Sequence, residues 1–313
     1  MPDKTDANGI PTEDGIYGWI GEHAYHADRG SLSVSGAKLL LPPSCPAKFR
    51  EQMDNPPPPK RVYDFGSFFH LIVLGKGVDI VEIDADNYRT KAAREQRDAA
   101  HAAGKVPVLV GAGANDDFAA EMGKAQAMAD SVLAHPIAGE LLTHPRNLVE
   151  QAIYATDPET GVRLRGRTDC LHFADDGRVT IIDVKTSATV NPAEMVRRWF
   201  KLNYFMQDAW YRDLLVAAGL ADDPDFVFVG VEKEPPYLVT VARYTELARE
   251  EGRRRNRRAI DLYAQCVESG QWPGYSTEIV PLGLPGWVEH QIASAATEEA
   301  AHDLIAELEG IYQ

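Results

Sequence analysis

The chain has 313 residues, 44% of them hydrophobic and 25% charged, with a formal net charge of −15. That length and composition suit a globular protein with a sizeable core, and no apolar run approaches the roughly 18–20 residues that span a bilayer. So negative a chain does not coat nucleic acid by bulk attraction, although a local basic groove remains open to it. The polar start, "MPDKTDANGIPTEDG", has no apolar leader core, so the expectation is a soluble, cytoplasmic protein with no membrane contact. Cys45, Cys170 and Cys266 are far apart and form no CxxC pair. They read as free thiols of a reducing compartment rather than as metal ligands.

Residues 1–30 look loop-like. In Ser31–Asn55 the pattern predicts a helix capped by Ser35, a Pro-Pro break, and a second short helix over Pro46–Met53. Pro56–Lys60 is a stiff polyproline connector. Val62–Gly77 predicts a helix capped by Asp64 and stopped at Gly75 and Gly77. It is apolar almost all round, hence buried and central. A strand over Val78–Ala85 is followed by an exposed helix at 88–104, a short strand and loop in "VPVLVGAGAND", an amphipathic helix at 115–134, and a short helix at Ile137–Thr143.

Three strands follow, Leu148–Thr156, Arg163–Ala174 and Val179–Ser187, joined by the turn sequences "DPETG" and "ADDG". Asn191–Gly219 predicts one long helix, with Asn191 as N-cap, Pro192 at the first position and Glu194 where a capping box needs it. Trp199 and Phe200 read as core. Two strands split at Pro235-Pro236 precede a helix over 245–269 that carries the basic run Arg253–Arg258. From Pro281 the tail reads as loop, then as an acidic helix from about Thr297. The whole is read as a single α/β domain, residues 1–313, with a mixed central sheet flanked by helices. The helical N-terminal region, about 31–77, packs on that core.

The strand "VTIIDVKTS" is apolar and β-branched, yet Asp183 and Lys185 stand inside it. Burying an unpaired charge costs several kcal/mol. Alternation puts both on one face. If the preceding hairpin turns at Asp176-Gly177, opposed residues sum to about 352–353. In the first of these registers Asp169 faces Asp183, and Arg167 joins the same face. Two carboxylates there could hold Mg²⁺ or Mn²⁺, with the lysine orienting water or neutralising developing charge. The same spacing also fits a structural ion pair at the end of a sheet.

The wider pattern resembles the PD-(D/E)xK nuclease superfamily, in which an acid on one strand and D/E-x-K on the next make a metal site. Here those are "RLRGRTD" and, fourteen residues on, "DVK". "FGSFFHLIVLG" resembles the histidine-bearing helix of the RecB-like branch, and "NYFMQDAWYRD" its Q-x-x-x-Y helix. "LSVSGAKLLLPPSCPAKFRE" and "VEKEPPYLVTVARY" look like segments of RecE-type phage and prophage exonucleases. Thr168 stands where the superfamily's name has proline, and the branches with a four-cysteine cluster do not fit three cysteines.

The resemblance implies a restriction-endonuclease-like fold. Asp169 and Asp183 would ligate the metal, His70 would be a further ligand, and Lys185 the catalytic lysine. Thr186 and Glu150 would support the site, and Gln207 and Tyr211 would hold a phosphate or the displaced strand. By residue chemistry alone His70 reads as a satisfied core histidine, and imidazole is softer than Mg²⁺ prefers. On the same footing Gln207 and Tyr211 fit ordinary packing. The run Arg253, Arg254, Arg255, Arg257 and Arg258 is either a solvated helix face or a DNA-backbone contact.

The activity implied is 5′→3′ digestion of one strand of linear double-stranded DNA, leaving a 3′ overhang. Its implied partners are further copies of the chain in a ring and a single-strand annealing protein of RecT type. Another nuclease of this fold, or a non-catalytic DNA-binding phage protein, are the alternatives. Motifs for an ATP-driven motor or a serine hydrolase are absent.

Overall fold

The computed structural model describes residues 5–56, 65–75, 80–103, 105–111 and 117–311. Within it the chain runs β1 (Gly15–Tyr17), α1 (Glu22–Ala27), β2 (Leu32–Ser33), α2 (Val34–Leu40), α3 (Pro46–Asp54), α4 (Phe65–Leu74), β3 (Ile80–Ile83), α5 (Lys91–Ala102), β4 (Val106–Leu109), α6 (Asp117–Ala134) and α7 (Pro136–Thr143). It continues through β5 (Leu148–Thr156), β6 (Arg163–Phe173), β7 (Val179–Ser187), α8 (Pro192–Lys201), α9 (Tyr204–Ala217), β8 (Asp225–Glu232), β9 (Val239–Ala242), α10 (Glu246–Ser269) and α11 (Gly286–Ile311). Most of the polyproline connector, the Asp64 cap, Gly77 and residues 112–116 lie outside the described residues.

Seven strands form one mixed sheet in the order β1-β5-β6-β7-β8-β9, with β2 beside β6. The meander β5–β6–β7 is antiparallel, and β7 pairs parallel with β8. A parallel pair needs a crossover, which α8 and α9 supply. β3 and β4 pair with each other in a separate two-stranded sheet.

The apolar residues of the meander alternate between two cores. Ile153, Leu171, Ile181, Phe226 and Phe228 pack against Ala37 of α2, Trp210 and Leu214 of α9, and Ala259 of α10. Cys170, Ile182, Val184, Val229 and Val231 pack against Phe69 of α4, Met128 and Val132 of α6, and Ala138 of α7. These are helices on both faces of the sheet, as expected, and α4, apolar almost all round, is only half-buried at Leu71, Ile72 and Leu74 beside the buried Phe69 and Val73.

Several local expectations change. The first cap is Ser33, whose Oγ accepts the Gly36 N–H at 3.2 Å, so α2 starts earlier than a Ser35 cap would allow. The loop-like N-terminus contributes β1, which pairs Gly15 with Tyr154 of β5. The single helix over Asn191–Gly219 is two helices. Asn191 caps the first through the Ala193 N–H, and Asn203 breaks it with φ 54°. Asparagine tolerates that left-handed region better than most residues do, and the broken helix turns so that both parts can lie on the sheet. Phe200, at the end of α8, is consequently 53% exposed rather than core, while Trp199 is buried. The compact unit that carries the sheet ends at Trp272. The unit that follows holds α11, which starts at Gly286 rather than near Thr297, because Trp287–Ala296 are good helix formers as well.

Gly166 sits where β6 passes under α9. A Cβ there would lie 2.5 Å from the Tyr211 ring and 2.7 Å from Leu214 Cδ1. Gly166→Ala should therefore cost about 1–3 kcal/mol through overpacking. A thermal melt with an unchanged Tm would contradict that close approach.

Candidate active site

The hairpin adopts the register in which opposed residues sum to 352, Cys170 facing Ile182. One residue further on, Asp169 would face Asp183, but the ladder stops there. On the other side of β6, Val149 pairs with Cys170 and Gln151 with Thr168, while Glu150 and Asp169 between them form no rung. Both ladders thus open at the same level, and that level holds Glu150, Asp169 and Asp183. Glu150 has φ 56°, a conformation that costs a non-glycine residue about 1–2 kcal/mol.

Side chains take over the hydrogen bonds that the ladder gives up. Asp169 Oδ2 accepts the Val184 N–H at 2.7 Å. The Val184 carbonyl meets His70 Nε2 at 2.9 Å. A carbonyl can only accept, so Nε2 carries the proton, and a neutral His70 keeps its lone pair on Nδ1. Nδ1 lies 3.6 Å from Asp169 Oδ1. An imidazole fixed by a backbone carbonyl on its far nitrogen is the arrangement metal-binding histidines use. One donor atom each from His70, Glu150 and Asp169 lie within 4.8 Å of one another. These three come from three elements, with α4 approaching the sheet from one face.

Asp183 belongs to the neighbouring half of the site, on the α9 side. It is 2% exposed. Its Oδ2 accepts Gln207 Nε2 at 2.6 Å. Its Oδ1 is ion-paired with Lys185 Nζ at 2.5 Å. Burial works to lower the Lys185 pKa, but the Asp183 and Asp169 carboxylates outweigh it and hold the ammonium charged above its ordinary range.

The carboxylates are unequally served. Glu150 is bonded to Arg167 Nε at 2.6 Å, and Arg167 Nη1 also donates to the Ile20 carbonyl at 2.8 Å. Burial raises the Glu150 pKa, and Arg167 opposes the rise. Asp183 has Lys185. Among the described residues Asp169 accepts one N–H and faces His70, and burial, then repulsion from Asp183, raises its pKa against the pull of His70 and Lys185. A cation placed against Asp169, Glu150 and Nδ1 of His70 would relieve that shortage, so the donors present fit a divalent metal.

Of the other expected site residues, Arg167 is a clamp between Glu150 and the N-terminal segment. Tyr211 is buried and stacked on Phe226, its ring centroid 6.1 Å away. Alternation puts Thr186 on the face of Ile182 and Val184, away from Lys185. The basic run is largely consumed within the chain. Arg253 pairs with Asp213, Arg254 and Arg255 with Glu251, and Arg257 with Asp157 and Asp261.

Tyr204, which helical spacing puts on one face with Gln207 and Tyr211, lies under two ammonium groups, Lys185 at 5.2 Å and Lys38 at 5.5 Å from its ring centroid, and of these Lys38 was missed by the sequence reading. Lys38 comes from α2 and donates to the Leu202 carbonyl at 3.1 Å. Burial and the nearby Lys185 charge bring its pKa down to about 8. A lone lysine in the apolar "SGAKLLL" was the available signal.

A mixed sheet between helices, with acids on adjacent strands and a lysine two residues beyond the second, fits a PD-(D/E)xK-like fold. The family comparison agrees: residues 33–280 match the PDDEXK-like domain of unknown function (DUF3799). The chain belongs to that family. A solved structure from Eubacterium rectale described as "Putative exonuclease" is similar to 85% of this chain and 96% of its own, with a TM-score of 0.53 and 12% identity. At that identity the likeness is one of fold. A second solved structure, SSO0001, covers 76% of this chain and 77% of its own at 11% identity, with a TM-score of 0.35 too low to argue from. No curated protein matches. No helix among the described residues is long and apolar enough to cross a membrane.

Calorimetric titration with Mn²⁺ should show binding by the wild type, with a rise in Tm at saturating metal. Asp169→Asn should lose both effects. Equal binding by Asp169→Asn would remove the metal from this site.

Proposed function

We propose that the protein is a metal-dependent exodeoxyribonuclease of RecE type. It would digest one strand of linear double-stranded DNA, 5′→3′, and leave a 3′ overhang for recombination by strand annealing. The observation that carries this reading is the row in which both ladders open. It places Glu150, Asp169 and His70 together on one side and the Asp183–Lys185 pair, 2.5 Å apart, on the other.

In this reading His70, Glu150 and Asp169 hold Mg²⁺ or Mn²⁺, and Asp183 Oδ1 is available as a further oxygen donor. A bound divalent ion lowers the pKa of a coordinated water and stabilises charge on phosphoryl oxygens. Lys185, paired with Asp183, would orient the attacking water or act by its charge. It draws the phosphate in and neutralises the oxygens that become more negative in the transition state. Gln207 fixes the Asp183 carboxylate and, through it, the position of the ammonium. Family membership and the fold of the Eubacterium rectale structure support a nuclease. The polarity, a ring of subunits, a RecT-type annealing partner and a cytoplasmic location are inferred from the resemblance of the sequence segments to RecE-type enzymes.

The deciding assay compares 5′-labelled linear duplex with closed circular duplex, in Mg²⁺ or EDTA. Wild type should degrade only the linear form and only with metal. Lys185→Ala should be about 100-fold slower or worse. Nicking of the circle would replace the exonuclease with an endonuclease of the same fold. No cleavage with any divalent metal would make Asp183 and Lys185 a structural pair.

A further inference from the structure

The arginine run on α10 is the obvious basic feature of the sequence, yet most of its charge is spent on acids of the same chain. Of that run Arg258 is exposed and forms no ion pair among the described residues, and a larger group of such cations lies elsewhere. Arg197, Arg198 and Lys201 on α8 are all exposed, and none forms an ion pair among the described residues. The buried side of α8 is Met195 and Trp199, four residues apart. That spacing anchors the helix and turns the three cations outward.

This face is continuous with the proposed active site. α8 is the first helix after β7, the strand that bears Asp183 and Lys185. Trp199 packs edge-on to Tyr204, with centroids 5.6 Å apart. Tyr204 is the ring that Lys185 and Lys38 both cover, and the charge of Arg198 reaches its hydroxyl. Cations therefore gather around Tyr204, from the half-buried Lys185 and Lys38 to Arg198, and Arg197 and Lys201 share the exposed helix with Arg198. The exposed Phe200 of the same helix is stacked on Phe205 at 5.4 Å, with the Arg255 guanidinium over its ring at 5.5 Å. In a chain of net charge −15, an unpaired row of cations beside a candidate phosphodiester-cleaving centre is a local exception that matches a polyanion.

We infer that the exposed face of α8, with Arg197, Arg198 and Lys201, is the surface on which the DNA backbone enters the active site, and that the arginine run of α10 is not. This rests on the nuclease reading for its ligand, but not on turnover for its test. The contact is to phosphates, so it is sequence-independent and salt-sensitive, each lost contact removing about 0.9 from the slope of log affinity against log salt on duplex DNA. Phe200 offers an apolar ring of the kind on which a frayed base can stack.

The test is fluorescence anisotropy with a short fluorescein-labelled DNA duplex in EDTA, where no cleavage occurs. Two triple variants are compared: Arg197→Gln with Arg198→Gln and Lys201→Gln, and Arg253→Gln with Arg254→Gln and Arg258→Gln. Each changes the formal net charge equally, from −15 to −18 (three cations removed), so a difference between them reports position rather than bulk charge. The α8 variant should bind about tenfold or more weakly, with a salt slope smaller by about two to three. The α10 variant should bind like wild type, and both should melt like wild type. Wild-type binding and slope in the α8 variant, or an equal loss in the α10 variant, would overturn the inference. A wild type that binds through α8 but cleaves nothing with any divalent metal would sink the nuclease reading and leave this surface standing. A wild type that cleaves, alongside an α8 variant that binds unchanged, would do the reverse.

Discussion

The Asp169 carboxylate accepting the Val184 N–H is the contact on which the rest of the site depends. A sheet interior does not tolerate unpaired backbone donors, so a gap in the ladder closes unless something else satisfies them. Here one side chain does so at 2.7 Å, and the imidazole of His70 serves the carbonyl of the same residue. The substitution keeps β6 and β7 in register while freeing a row for charged groups. It also explains how an acid and a base can occupy an apolar strand. Each is engaged by a neighbour, and the row lies where helices from both faces meet the sheet.

The two halves of the site divide labour by their electrostatics. On the α4 side, carboxylates outnumber the positive charge available to them, which favours an incoming cation. On the α9 side, Lys185 is held charged by Asp183, and Gln207 fixes that carboxylate in turn. An acceptor of metal and a donor of positive charge thus stand on either side of the space between β6 and β7. The acidic balance of the whole protein says nothing of this, because the relevant charges are local and poorly screened where they are buried.

Much of this was legible in the residues. The meander could be read from its turns and alternation, and its register from the centre of the hairpin at Asp176-Gly177. Alternation along β7 put Asp183 and Lys185 side by side. The role of Glu150 was harder, since a glutamate with φ 56° leaves no trace in hydropathy and looks like any strand-end acid. The helix break at Asn203 was hidden because "RRWFKLNYFMQD" keeps helical periodicity across it. Only the packing of Trp199 and Phe205 against the sheet requires the turn, and Phe200 was misplaced for the same reason. The arginine run shows another limit. A sequence shows charges in order but not the acids that come to meet them from Asp157 and Asp213.

The attachment of the N-terminal segment has a consequence for the order in which the molecule comes together. Gly15 pairs with Tyr154, Leu32 with Leu164, and Arg165 binds the Ser31 carbonyl at 2.5 Å. Ile20 lends its carbonyl to Arg167, which holds Glu150. All these partners leave the ribosome long after the segment that needs them. Contacts so distant along the chain carry a large closure entropy and form late. A segment synthesised well before its partners is thus among the last to settle, and the clamp on Glu150 is completed only when it does.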